Sequence, residues 1–280
     1  MVRIKAAVIH CCLHWGFSVR AFPGSAVQPS FLIPPPSTII GALTKGIMWN
    51  VSKELFFVSD GIVSPIYRFI EDYWPFYITV LVDTDLAPAR TKIAIRYMTG
   101  IYQAKLTVEQ WAKSLMPAQF FAPVQVGYTV IPGSSLYIIY IGDKLPPKTA
   151  LWSLNRLGSK ESMVSVIDVY TYEVEATEIK KDDKVEVVNT CTPSFLIKDI
   201  TEGMYIVEEI PFPLSKDEWL LHARVIPCPS HRVMLRPIHI PLNPSKGLVD
   251  VTVRDDVYEV ELDMGHKVLH IIMPRSIMVG

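Results

Sequence analysis

Apolar and polar positions along this chain follow two rhythms, and the change from one to the other divides it. Residues 4–14 are an almost unbroken apolar stretch that opens on β-branched side chains, which predicts a buried strand. Over 37–51 the period lengthens: Ile39, Ile40, Leu43, Ile47 and Met48 recur at helical spacing and turn one helix face to the core. Residues 77–83 are uniformly apolar and predict a central strand. Residues 86–102 read as an extended basic segment, and 107–116 as a short helix capped by Thr107 and broken between Pro117 and Pro123. Two further strands, 125–131 and 135–141, flank Pro132-Gly133, a hairpin signal. Pro146-Pro147 introduces a helix over 148–157 that Gly158 ends. From residue 164 onward strands dominate, at 164–176, 184–188, 204–208, 247–253, 257–262 and 268–272.

Helix–strand alternation followed by a strand-rich run predicts an α+β protein of two lobes, 1–165 and 166–280. The first lobe can be written β-α-β-β-α-β, with strands at 4–14, 77–83, 125–141 as a pair, and 164–172, and helices at 37–51 and 148–157. Residues 86–124 are then an insertion.

The entry to the first helix is unusual. Pro34, Pro35 and Pro36 hold the approach extended, because proline fixes φ and disfavours helix in the residue before it. Ser37 or Thr38 can cap the helix, and Gly41 allows close approach of a second backbone. A helix N-terminus aimed so rigidly can receive a phosphate; it is equally the signature of a well-capped helix with no ligand.

Composition narrows the class. With 280 residues, half of them hydrophobic, the chain can build a sizeable core without staples. Its 22 prolines argue for many short elements. No apolar run is long enough to span a bilayer and the N-terminus lacks a signal-peptide layout, so a cytoplasmic protein with no membrane partner is expected. Cys11, Cys12, Cys191 and Cys228 share no spacing and read as reduced structural thiols.

A net charge of −1 does not announce a nucleic-acid binder, but its distribution is informative. Between residues 86 and 108 lie Arg90, Lys92, Arg96 and Lys105 with no acid. Between 168 and 186 acids predominate. Strand alternation puts Arg90, Lys92 and Arg96 on one face, with Ile93 and Ile95 on the other. Tyr97 and Tyr102 add rings that can stack on unpaired bases. The competing reading is a solvated edge strand whose charges oppose aggregation.

Elsewhere the chemistry is thinner. Arg156, Gly158, Ser159 and Lys160 form a turn that can act as an anion-binding nest or as a simple helix exit; it lacks the first glycine and the spacing of a Walker motif. Lys45 reads as a solvated lysine or a phosphate contact. His10, Cys12 and His14 share one strand face but cannot close a tetrahedron, so no metal is expected. His231, Arg232, Arg236 and His239 make a second cationic cluster suited to a partner contact or a surface strand. No paired-carboxylate metal motif, nucleophile elbow or dinucleotide fingerprint is present, and no cofactor is expected.

The order strand, loop with aromatics and Arg20, then PPPSTIIGAL resembles the start of the Cas five family, RAMP-superfamily subunits of type I CRISPR effector complexes. The segment NRLGSKESMVSV at 155–166 resembles that family's Leu-Gly-x-Lys-Glu segment, and the general style is most similar to archaeal type I-A members. The resemblance implies a ferredoxin-like or RRM-like (RAMP) N-terminal domain with a protruding β-hairpin, the thumb, for which 86–124 is the candidate, followed by a strand-rich C-terminal lobe. It implies a non-catalytic subunit that holds the 5′ handle of the crRNA and caps the filament of backbone (Cas seven) subunits. The large subunit would be a further neighbour, and target DNA would be reached only through the guide. Ser37, Thr38 and the Gly158 turn would bind handle phosphates, Arg20 would contact the 5′ end beside Phe17 or Phe22, and the basic thumb would follow the RNA. Two alternatives remain: a metal-independent endoribonuclease like type I-C relatives, and a protein-only scaffold.

Overall fold

The computed structural model describes residues 2–19, 29–47, 57–58, 61–62, 64–84, 88–97, 122–159, 162–223 and 235–278. Strand β1 (Val2–Leu13) is followed by the short β2 (Gly16–Phe17), helix α1 (Pro36–Ile47), a small hairpin of β3 (Phe57–Val58) and β4 (Gly61–Ile62), and helix α2 (Ile66–Asp72). Strands β5 (Pro75–Asp83), β6 (Ala89–Tyr97), β7 (Ala122–Val130) and β8 (Ser134–Gly142) come next, then helix α3 (Lys148–Trp152) and the long β9 (Val164–Ile179). The second half holds β10 (Lys184–Val188), β11 (Thr192–Pro193), β12 (Ile197–Glu202), β13 (Tyr205–Pro211) and helix α4 (Lys216–Ala223). It closes with β14 (Leu235–Pro241), β15 (Leu248–Val253), β16 (Val257–Asp263) and β17 (Val268–Pro274).

The described residues build one large sheet in the order β17-β16-β9-β1-β8-β5, antiparallel at every pairing. Its middle strands carry the apolar runs that the sequence marks. Ala6 to Ile9 and Leu136 to Ile141 are at most 3% exposed, because both faces of the sheet are covered. Helices α1 and α3 pack on each other closely enough that a Cβ on Gly46 would fall 1.8 Å from Ser153 Oγ. Gly46, and not Gly41, is therefore the glycine that permits close approach; a Cβ on Gly41 would make ordinary contact with Ile66 at 3.6 Å. At β5, the second half packs on the sheet: Cys191 N–H donates to the Val80 carbonyl at 2.9 Å, and the Tyr77 and Phe212 rings lie 5.5 Å apart. A smaller core, with Val185, Leu196, Leu248 and Val251, fills the second half.

Four expectations are corrected. The strands either side of Pro132-Gly133 do not pair with each other. β7 pairs with β6 and β2, whereas both edges of β8 are taken by β1 and β5. The turn switches sheets, held by Gly133 N–H to the Leu13 carbonyl (2.9 Å) and Ile131 N–H to the Trp15 carbonyl (3.1 Å). Consequently the inserted hairpin is β6–β7 and extends to residue 130, beyond the expected 124; the residues between its strands, with the helix expected at 107–116, lie outside the described residues. Helix α3 stops at Trp152, not at 157. Ser153 Oγ donates back to the Ala150 carbonyl (2.8 Å), and Leu154 and Leu157 leave the helix to bury themselves in the core. Helix α1 begins at Pro36, so Ser37 and Thr38 lie within its first turn. The Pro35 carbonyl accepts from Thr38 N–H (2.9 Å) and Ile39 N–H (3.2 Å), and Pro36 takes the first helical position, where its missing N–H costs nothing.

Candidate nucleic-acid interface

Segments far apart in sequence meet where β1 leaves the sheet. Gly16 takes φ +125, and a Cβ there would sit 1.9 Å from the Thr129 carbonyl oxygen, so only glycine lets β2 lie against β7. Ser18, which is buried, is the knot. Its Oγ donates to the Gly127 carbonyl in the hairpin (2.8 Å), its N–H donates to Ser162 Oγ (2.8 Å), and its carbonyl accepts Ser159 N–H (3.1 Å). Phe31 N–H donates to the Val19 carbonyl (3.2 Å), and Thr129 Oγ1 donates to the Phe31 carbonyl (2.5 Å). The loop before α1, the root of the β6–β7 hairpin and the turn around Gly158 are thus one joint.

Glu208 of β13 ties the second half to it. One carboxylate oxygen accepts Leu32 N–H at 2.7 Å and the other pairs with the Arg90 guanidinium. The Glu208 side chain is only 10% exposed and the Arg90 side chain 44%. Arg90 is therefore committed within the molecule, which the even spacing of the basic strand does not reveal. Lys92, two residues on, is exposed, faces Gly127 in register and makes no ion pair among the described residues. The pairing of β6 with β7 runs unbroken from Ala89 to Tyr97 and puts Arg90 and Lys92 on one face; the side chains of Arg96 and Tyr97 lie outside the described set.

The other singled-out positions sort plainly. Ser37 and Thr38 are half-buried at the start of α1. Lys45, in the last turn of α1, donates to Asn155 Oδ1 at 3.3 Å, and Arg156 beside it is exposed. Gly158 is not a helix cap: it bridges to Ser18 with φ +90, and a Cβ would lie 2.5 Å from the Ser18 carbonyl oxygen. Ser159 N–H, which an anion-binding nest would use, is already bonded to the Ser18 carbonyl, so a nest here lacks that donor. Arg20, Lys105 and Lys160 lie outside the described residues. Hydrogen bonds, strand pairing and the chain itself link Lys45, Asn155, Arg156, Gly158, Ser18, Gly127 and Lys92, with the exposed cations Lys45, Arg156 and Lys92 among them.

His10, Cys12 and His14 do not converge on a metal. His10 Nε2 bonds Ser135 Oγ (2.9 Å) and His14 Nε2 bonds Ser165 Oγ (2.8 Å). The His10 ring stacks on Tyr137 at 4.4 Å, with His266 6.1 Å away. Burial first, then the neighbouring His266, lowers the His10 imidazole below its ordinary value of 6.5. Sequence reasoning missed this grouping because His266 arrives from the β16–β17 turn. In the second cationic cluster Arg236 grips Glu218 of α4 with both terminal nitrogens (2.9 and 3.1 Å), a structural clamp. His239 bonds Ser194 Oγ (2.9 Å) and is lowered by burial. His231 and Arg232 lie outside the described residues.

Among the described residues no helix is long and apolar enough to cross a membrane. No protein-family model matches the chain. Curated relatives from Saccharolobus solfataricus do. The CRISPR system aCascade subunit Cas5 1 is 29% identical over 168 residues, 58% of this chain and 63% of that protein. The CRISPR-associated protein Cas5 3 is 27% identical over 160 residues, 56% of this chain and 61% of the relative. Each match thus spans under two thirds of the relative. Among solved structures, a CRISPR protein from Archaeoglobus fulgidus superposes with a TM-score of 0.54 at 18% identity, covering 95% of this chain and 98% of that one, and shares its fold.

Proposed function

We propose, for a chain that belongs to the Cas5 family of CRISPR proteins, that it is a non-catalytic RNA-binding subunit of an archaeal type I-A surveillance complex acting in antiviral defence. It holds the 5′ handle of the crRNA and caps the filament of backbone subunits, with the large subunit as a further neighbour and target DNA reached through the guide. The observation that carries this reading is the Ser18 joint. The hairpin root, the Gly158 turn and the loop into α1 are the three parts the resemblance assigns to RNA, and they are knotted together with Lys45, Arg156 and Lys92 exposed among the linked residues. Spaced cations on a rigid joint can follow a phosphate backbone, and exposed Trp15, 71% accessible beside β2, offers a face for an unpaired base.

The fold supports the finer reading too. Taken in chain order, β1, β5, β8 and β9 stand side by side as fourth, first, third, second, with α1 after the first and α3 after the third. That order supports reading the sheet as a β-α-β-β-α-β unit of ferredoxin-like type, with β6–β7 as the candidate thumb between the second and third strands.

One gel tests the proposal. Purified protein, with and without its backbone subunit, meets RNA carrying or lacking the 5′ handle, with EDTA present. Handle-dependent retention of intact RNA is expected. Cutting at the repeat would move the assignment to an endoribonuclease, and neither binding nor cutting would leave a protein-only scaffold.

A further inference from the structure

Remote from the Ser18 joint, the outermost strands carry a second group of chemistry-bearing side chains. We infer that Glu259, Glu261 and His270 form a binding site for a divalent transition-metal ion, Zn2+ being the best suited. Alternation on β16 puts Glu259 and Glu261 on one face, and antiparallel register sets His270 of β17 directly opposite Glu261. The Nδ1 to Oε1 distance is 3.2 Å, and one ligand atom from each of the three residues lies within 4.8 Å of the others.

These ligands come from strands, not from a loop. His270 is further pinned through its backbone: its N–H donates to Asn189 Oδ1 (2.9 Å), and its carbonyl accepts Asn189 N–H (3.4 Å) and Thr190 Oγ1 (3.2 Å). The backbone that carries the imidazole is thus fixed, and the ring itself is already engaged by Glu261 through Nδ1. The charge balance points the same way. Glu259 is half-buried, and the Glu261 carboxylate lies on the same face two positions along the strand. Among the described residues no lysine or arginine pairs with Glu259 or Glu261, whereas Glu178 and Asp256 nearby on the surface both pair with Lys180 and Arg275. A dication supplies the missing charge. One imidazole nitrogen with two carboxylate oxygens, leaving a fourth position for water, suits Zn2+ and its neighbours. Ca2+ and Mg2+ ask for more oxygen ligands.

The test uses the full chain, free of any affinity tag, stripped with EDTA and titrated with Co2+ and then Zn2+. One Co2+ per chain is expected, with the visible absorption of a low-coordinate site, displaced by Zn2+. The midpoint of thermal unfolding should rise with Zn2+ and not with Mg2+. Glu261→Gln, an exposed position that leaves the fold intact, and His270→Ala should each weaken Zn2+ binding at least about tenfold. Binding that neither variant changes would place the ion elsewhere and overturn the assignment, as would no binding at all. RNA retention plays no part in either outcome.

Discussion

The root of the β6–β7 hairpin and the turn around Gly158 reach the same joint by different means. The hairpin is held by β-pairing to β2 and by a side-chain ion pair, Arg90 to Glu208, whose guanidinium is nearly half exposed. The turn is held by its own backbone and by small hydroxyl side chains: Gly158 against Ser18, Ser159 N–H to the Ser18 carbonyl, and Ser162 Oγ under the Ser18 N–H. The contrast separates two kinds of rigidity. A contact between uncharged backbone and buried hydroxyl groups is indifferent to salt, and one as close as Gly158 to Ser18 is intolerant of any added atom. An ion pair at the rim is screened by salt and can exchange its partner for a phosphate.

The sharpest way to break the turn is Gly158→Val. The new Cβ meets the Ser18 carbonyl oxygen in a backbone conformation that valine rarely adopts, so a loss of about 3 kcal/mol in a denaturant titration is expected. Ser162→Ala removes the acceptor from the buried Ser18 N–H and should cost about 1–2 kcal/mol, little changed by salt. On the hairpin side, Glu208→Gln should cost about 1 kcal/mol at low salt and less as salt rises, because the Arg90 end of the pair is open to solvent. Lys92→Ala should leave stability unchanged and reduce the salt slope of RNA affinity by about 1, while Arg90→Ala at moderate salt loses stability more than slope. Equal slopes for the two variants would remove the distinction between a structural and a binding cation.

The smallest effect is one of pH. His10 is lowered in the folded state, chiefly by burial and by His266, with Lys267 adding to them and Asp168 and Asp83 opposing. Protonation therefore favours the unfolded chain. The stabilisation tied to His10 is complete above its unfolded value of about 6.5 and declines as pH falls from there through the lower folded value. His10→Asn should flatten that part of the pH profile of thermal stability.

Much of this architecture can be read from residues alone, and what escapes does so for physical reasons. β1, β5 and β9 announce themselves because continuous or alternating apolar runs leave little choice. Helix α2 was legible in principle: Ile66, Phe69 and Ile70 hold the helical spacing, and Ser64 Oγ accepts the Ile66 N–H at 3.3 Å, but its seven residues fall below the length at which periodicity stands out. Pro132-Gly133 spells a turn without saying whether the strands beyond it pair or part; that depends on β1 and β5 claiming both edges of β8. For the candidate interface, spacing found the shared face of Arg90 and Lys92. It could not find Glu208, more than a hundred positions away, which makes the two cations unlike. Nor could it find the metal ligands, because Glu-x-Glu on one strand and a histidine on the next acquire meaning only from register.

The sheet order has a consequence for how this chain comes into being. β1 is made before every strand it pairs with: its two neighbours are β8 and β9, and the sheet's far side waits for β16 and β17. A nascent chain must carry an unpartnered apolar strand, Ala6 to Ile9 among its residues, until β8 and then β9 have been made. Synthesis paused or truncated before Ile179 should therefore yield a species that aggregates or recruits chaperones, whereas one stopped just beyond β9 can already close the strands on both sides of β1.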